Sequence, residues 1–373
     1  MSRLTNLRGV ALFALVVPLA AACASGEQGE APVPAGAPPG AEEDQAEEDQ
    51  AAPEGGGTGV EGGPSFDLSG TSITATTSIP GALNIGTFWA FERLEEWGAE
   101  VDTVILTTTT GIQTLIAGRS DLASHGSDEV VLGAAEGAEV IAIGAPATRM
   151  DYVLVGSSDY AEVADLQGGT IAMSGPAGFD ALLSRLSLRD AGLDPETDVN
   201  FVQVGGSPDR ATALLSGQVD AATVFLEDWE ELRLQTDDLQ LIQYMADIVE
   251  EFPASAYFAQ ASFWEENPDV ALALACANLQ ANAWINEDKQ RFIDYTLELV
   301  EGATPEAVDS IYDAAQEIDM FPTEPEELFS VSGLGGLVDA MVETGDISSP
   351  VEPEEIADIS YLQEAADMGC GQE

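Results

Sequence analysis

From residue 71 to residue 260 the apolar positions change period repeatedly, first every second residue and then every third or fourth. "TSITATTSI" (71–79) is β-branched and alternating, which predicts a strand that ends at a Pro-Gly turn. The helical pattern "ALNIGTFWAFERLEEWG" runs to Gly98 and gives way to a strand, "EVDTVILTT". A helix "GIQTLIAG" leads to strand "SDLASHG", and a helix "SDEVVLGAAEGA" leads to strands "EVIAIGAPA" and "DYVLVGSS". "TIAMSG" (170–175) and "NFVQVGG" predict strands, and "GFDALLSRLSLRDAG" a helix with Leu182, Leu183, Leu186 and Leu188 on its apolar side. "SPDRATALLSG" predicts a helix with Ser207 as N-cap and Pro208 at its first position, followed by strand "DAATVFLED". After "SAYFAQASFW" the pattern is mostly helical, over 269–286, 289–301, 305–318, 325–344 and 353–367. Such alternation predicts an α/β fold of parallel sheets with helices on both faces.

One segment is written twice. "TLIAGRSDLASHG" (114–126) and "ALLSGQVDAATVF" (213–225) share a helix end, a glycine turn, an aspartate and an apolar strand start. Leu115, Ile116, Gly118, Asp121 and Ala123 recur as Leu214, Leu215, Gly217, Asp220 and Ala222, 99 residues on (217 − 118). Each copy ends in a polar cluster, "SHGSDE" (124–129) or "FLEDWE" (225–230). Open parallel sheets bind ligands beyond the carboxyl ends of their strands, near helix N-termini. Two such edges facing each other would form a cleft.

The ends change the picture. Arg3 and Arg8 precede an apolar run, "VALFALVVPLAAA" (10–22), too short to span a bilayer and suited to a signal peptide. It stops at Cys23 after small residues, the pattern of a bacterial lipoprotein box, although Ala20 stands where leucine is usual. We therefore expect 1–22 to be removed and Cys23 to be lipidated, anchoring the protein to the membrane; the alternative is an ordinary secretory signal cut nearby, and either way the protein leaves the cytoplasm. Residues 24–66 carry ten acids and no base among Gly, Pro and Ala, a composition with too little apolar surface to order itself. As a flexible tether they would span roughly 35–40 Å. The formal net charge is −56, and Lys289 is the only lysine. That excess excludes nucleic acid as a partner. It reads as adaptation to a salty exterior, where a Debye length of about 3 Å at molar salt screens self-repulsion. Cys276 and Cys370 remain, either bridged across 94 residues or as two separate thiols.

Candidate contacts cluster at the strand ends. Ser78 and the turn "PGALN" follow the first strand, so Asn84 either faces the cleft or braces the turn. Thr110 and Gly111 stand where a strand meets a helix, with a small residue that would let a ligand approach backbone amides. His125, the single histidine, is either structural or cleft-facing. Ser127 is expected as an N-cap, with Asp128 and Glu129 favourable in the first helical turn. Ser174, Gly175, Ala177 and Phe179 in "SGPAGFD" leave the backbone bare beside a possible aromatic cover, and Gly206 and Ser207 in "GGSPD" repeat the design. Glu227 could accept a hydrogen bond from an amine or ring N–H. Trp229 is either core or contact, and Tyr257 could stack or donate. Arg149 and Arg210 are the cations near these ends, so the carboxylates favour a neutral or amine-bearing solute. No Cys–His cluster or nucleophile triad is present, and neither a metal site nor a cofactor is expected.

"AGRSDLASHG", "LQGGTIAMSGPAG", "LRDAGLDPETDVNFVQVGG" and "LLSGQVDAATVFLEDWE" resemble the extracytoplasmic solute-binding proteins of ABC importers, in the nitrate/sulfonate/taurine and thiamine-precursor group. The tail "LVDAMVETGDISSPVEPEEIADISYLQEA" is similar to that family's C-terminal pattern, and the likeness covers nearly all of 71–367. It implies a periplasmic-binding-protein-like fold of type II, with two α/β lobes joined by crossing strands over a ligand cleft. Lobe one is placed at 67–158 plus 252–373 and lobe two at 159–251, with crossings near "VLVGSSD" and "FPASAYF". Where the family often has Trp-Glu-Pro, this chain has Leu226, Glu227, Asp228, which leaves ligand identity open. The resemblance implies a monomeric, non-enzymatic, lipid-anchored receptor that hands a small organic solute to an ABC permease and its ATPase. The alternatives are a sensor or interaction lipoprotein of the same fold, or an enzyme of the pyrimidine-synthase or menaquinone-pathway type.

Overall fold

The computed structural model describes residues 64–372, apart from 107, 108, 177 and 250. The signal-like segment, Cys23, most of the acidic stretch and Ala177 lie outside the described residues. The chain begins with β1 (Ser72–Thr77), α1 (Ile85–Glu96), β2 (Glu100–Ile105), α2 (Gly111–Ile116), β3 (Leu122–Gly126), α3 (Ser127–Ala135) and β4 (Val140–Gly144). It continues with β5 (Tyr152–Ser157), β6 (Thr170–Met173), α4 (Phe179–Asp190), β7 (Asn200–Gln203), α5 (Ser207–Leu215), β8 (Ala221–Phe225), α6 (Leu226–Arg233) and β9 (Leu239–Tyr244). After β10 (Ser255–Gln260) only helices follow: α7 (Ala261–Glu266), α8 (Pro268–Glu287), α9 (Lys289–Leu299), α10 (Pro305–Glu317), α11 (Pro325–Leu328), α12 (Val331–Thr344), α13 (Pro353–Ile356) and α14 (Ser360–Asp367).

The strands form two sheets of the same design, ordered β2-β1-β3-β10-β4 and β7-β6-β8-β5-β9. In the first, β1 runs parallel to β2 (Ser72 opposite Glu100) and β3 (Ala75 opposite Leu122), and β10 lies antiparallel between β3 and β4. In the second, β6 runs parallel to β7 and β8, and β5 lies antiparallel between β8 and β9. Both sheets are therefore mixed rather than purely parallel, because each takes one antiparallel strand next to a passage between the halves. β5 belongs to the second sheet, so the first passage is 145–151, earlier than a lobe boundary at 158 would place it. The second passage is 245–254.

The duplicated segment now has a physical cause. Gly118 and Gly217 take positive φ (+62° and +68°), where a side chain would be strained, and so turn the helix end into the strand. Asp121 then accepts from the Thr74 amide at 2.8 Å, and Asp220 from the Thr170 amide at 2.7 Å. Each aspartate also returns its own N–H to the carbonyl of the same threonine. The repeat is a clamp that joins β3 to β1 in one sheet and β8 to β6 in the other.

Packing fixes the passages. α8 is buried nearly all round, with Val270, Leu274, Cys276, Leu279 and Ile285 inside, as expected of a helix apolar on every side. Cys276 is bridged to Cys370, which holds the chain end against α8. Thr148 in the first passage donates its N–H to Met320 at 3.1 Å and its hydroxyl to Glu327 at 2.5 Å. The second passage lies on α12, where a Cβ on Gly333 would stand 1.7 Å from the Glu251 carbonyl oxygen. Only glycine lets these two backbones meet.

Candidate functional site

The parallel strands of the two sheets end toward each other. Beyond β1 the turn at 78–84 leads into a 3₁₀ turn, Ala82–Asn84, that runs straight into α1. Opposite it, β8 passes without a loop into α6. Glu227, the second residue of α6, reaches across and accepts from the Leu83 N–H at 3.3 Å, with the Ala82 N–H also on its carboxylate. A Cβ on Gly81 would stand 2.3 Å from Glu227 Oε1, so the carboxylate occupies the space that this glycine leaves free.

The 99-residue offset holds here as well. Asp128 is the second residue of α3 and Glu227 the second of α6 (227 − 128); Glu129 and Asp228 come next. The third-position acids serve their own half. Glu129 accepts from the Ile112 N–H of α2 at 2.9 Å, and Asp228 accepts from the Ser207 hydroxyl at the start of α5. Of the second-position acids, Glu227 reaches the other half at Leu83, whereas Asp128 accepts from backbone N–H groups of its own turn and feels the charges of Asp180 across and Asp346 in its own half. Asp151, at the end of the first passage, adds a further carboxyl near Glu227 and Asp228.

These half-buried acids all hold their protons unusually well. Burial pushes Asp128 and Asp151 up to about 7 and Glu129 and Glu227 to about 8; like charges nearby add to it. Burial takes Asp228 to about 6. His125 moves the other way, to about 4, and is neutral; its Nε2 has no partner and its Nδ1 lies 4.0 Å from Glu129. The arginines beside the cluster are committed. Arg210 donates to the Thr223 and Gly205 carbonyls at 2.8 and 2.7 Å and lies 3.7 Å from Asp180. Arg185 donates to the Pro176 carbonyl and to Asp346 of the other half. An aromatic wall completes this side, with Tyr152 packed on Phe225 (4.6 Å between centroids) and edge-on to Phe179 (5.9 Å).

A family model described as NMT1/THI5 like matches residues 95–291, more than half of the 373-residue chain. The chain belongs to the NMT1/THI5-like family. That match spans β2 to β10, both passages and the five carboxyls with raised values. A search of the curated proteins finds no significant match. Among solved structures, the ligand-binding component of an ABC-type import system from Staphylococcus aureus superposes with TM-score 0.64 at 12% identity, covering 79% of this chain and 99% of the other. The periplasmic aliphatic sulphonate-binding protein SsuA of Escherichia coli gives 0.62 at 19% identity, covering 77% and 97%. The periplasmic nitrate-binding protein NrtA of Synechocystis PCC 6803 gives 0.63 at 14%, covering 80% and 88%. At these identities the likeness shows the fold: two α/β halves of the periplasmic-binding-protein type.

Several residues singled out in the sequence sit elsewhere or are already engaged. Asn84 accepts from the Gly81 N–H at 2.9 Å and donates to Ser78 and to the Ile79 carbonyl, so it braces the turn. Thr110 caps α2 by accepting from the Gln113 N–H. A Cβ on Gly111 would stand 2.5 Å from the His125 ring, so the room beside that glycine is taken by His125 rather than left for a ligand. Ser127 and Ser207 are first helical residues behind N-caps Gly126 and Gly206, not caps themselves. The Ser127 hydroxyl donates to the Pro253 carbonyl, and Ser207 accepts from the Phe225 N–H. Ser174 binds Asp180 through both its N–H and its hydroxyl. Gly175 stays open, with only Gln203 Nε2 within reach of an added Cβ. Tyr257 is a core residue, 1% exposed, with its hydroxyl on Thr87. Trp229 lines a different cavity of about 890 Å³, between α6 and β9 on one side and α9 and α10 on the other. Asp151, Tyr152 and Phe225 were not singled out in the sequence. The 99-residue offset, carried two residues past the strand, pairs Asp128 with Glu227 and marks both.

Proposed function

We propose that this chain is the solute-binding component of an ABC importer, held outside the cytoplasmic membrane by a lipid on Cys23 and an acidic tether. The observation that carries the reading is the pair of sheets of matching order whose strand ends meet across the Glu227–Leu83 contact. The moving bodies we assign are the first sheet with α1–α3 and α7–α14, and the second sheet with α4–α6. A small organic solute would enter between them and shift an open–closed equilibrium, and a permease would read the closed form of the monomer. Among the described residues no helix is long and apolar enough to cross a membrane, and no group of three His, Cys, Asp or Glu could hold a metal ion. The half-buried acids and the aromatic wall suit recognition, and nothing in their arrangement supplies a nucleophile beside a base. Small-angle scattering of the purified chain in high salt, over a panel of small metabolites, tests the proposal. The expected result is a smaller radius of gyration and a higher melting temperature with at least one compound. A panel that covers amines, oxyanions, pyrimidines and neutral solutes and moves neither quantity overturns it.

A further inference from the structure

Backbone N–H groups at a helix entrance attract anions, and an oxyanion solute would look for such groups at a strand-end cleft. Here those of Ala82 and Leu83 already hold a carboxyl group that belongs to the protein. The Glu227 carboxylate comes from the opposite half, over a glycine whose missing Cβ makes the room. An entering sulfonate or nitrate would have to displace that carboxyl group and then sit beside Asp151 and Asp228. Arg210 and Arg185 offer such an anion little, because both are hydrogen-bonded to carbonyls and already face Asp180 and Asp346. Beside Glu227 a guest meets the carboxyls of Asp151 and Asp228, and the Tyr152–Phe225–Phe179 wall begins at the residue after Asp151. Carboxylates beside aromatic faces recognise ammonium groups.

We infer that Glu227 sets the specificity of this cleft: it admits an organic cation, a primary or secondary amine on a small apolar or aromatic body, and excludes oxyanions. The inference rests on the solute-binding reading above and names its substrate class. In the closed state one Glu227 oxygen holds the lobe-one amides while the other faces the ammonium group, so the same side chain joins the halves and selects the guest. Two properties follow: an ammonium guest favours the charged form of Glu227 and is held by it, and the side chain's bulk keeps the amides from other anions.

The test is calorimetric titration of the full chain in molar salt with two probe sets. One contains alkylamines, diamines and arylalkylamines; the other contains ethanesulfonate, methanesulfonate and nitrate. Wild type is expected to bind at least one amine and none of the oxyanions. Glu227→Gln keeps the shape and an acceptor for Leu83 but cannot become charged beside an ammonium group, and should weaken the amine at least tenfold with an unchanged melting temperature at neutral pH. Glu227→Ala bares the amides and should give measurable ethanesulfonate binding. Wild type that binds an oxyanion, or Glu227→Gln that binds the amine as well as wild type, overturns the assignment of Glu227 and leaves solute capture standing. Absence of binding to every member of both sets overturns this inference, and scattering on the wider panel then decides separately whether solute capture stands.

Discussion

Asp128, Glu129, Asp151, Glu227 and Asp228 are each easier to protonate in the folded chain than a free carboxyl, and the first cause in every case is burial. A raised acid binds its proton more tightly in the folded state than in the unfolded one. Its stabilising contribution is therefore complete below the ordinary carboxylate range and is lost as pH rises through the folded value. His125 has the opposite sign: its lowered value contributes at and above neutral pH and is lost as pH falls from about 6.5 to about 4. Five acids outweigh one histidine. We expect the melting temperature of the ligand-free protein at fixed high salt to fall between about pH 5 and about pH 8. The double variant Asp128→Asn, Glu227→Gln should show a shallower fall in scanning calorimetry. A wild-type profile that rises over that interval would place these carboxyls in water. The sequence showed that acids gather at the strand ends. It could not show that they are half withdrawn from solvent, because in a chain of net charge −56 an acid is ordinarily a surface residue.

At the scale of elements, the clamp made by Asp121 and Asp220 explains why one segment is repeated. Each carboxylate satisfies a strand N–H that would otherwise be left part-buried without a partner. Replacement of either by alanine should lower unfolding stability by ~1–3 kcal/mol, and asparagine, which keeps an acceptor, by less. Urea titration measures both. Equal losses for alanine and asparagine would show that charge, not hydrogen bonding, is the contribution. Most elements were legible because their period is clean: 72–77, 85–96, 179–190 and 207–215 each present one apolar side. β9 was missed because every residue of "LQLIQY" is half-buried, so no alternation marks it. The pattern over 325–344 suggests one helix, but the chain breaks at Phe329 and Ser330, where the Ser330 hydroxyl caps α12 through the Gly333 N–H. The pattern over 353–367 also breaks, at Ala357, which pairs as an isolated bridge with Ala142 of β4. In β9 and at Ala357 a tertiary partner decides the backbone, and a local pattern carries no sign of it.

For the whole molecule, 67 acids against 11 bases make the compact state self-repelling unless counterions screen it. We expect the melting temperature to drop on dialysis from molar to millimolar sodium chloride, followed by circular dichroism; an unchanged curve would remove the link between charge and environment. The tight pairs seen here, Arg185 with Asp346 and Arg233 with Glu230 and Ser310, join the two halves at two flanks and should outlast the surface charges in salt. The order of the sheets has a consequence for how the protein comes into being. The second sheet needs nothing beyond residue 244, whereas β4 has no strand to pair with until β10, at 255–260, arrives to separate it from β3. A chain that emerges amino terminus first can assemble the later sheet while the earlier one still waits with a gap in its middle. The half that is synthesised first is the last to be finished.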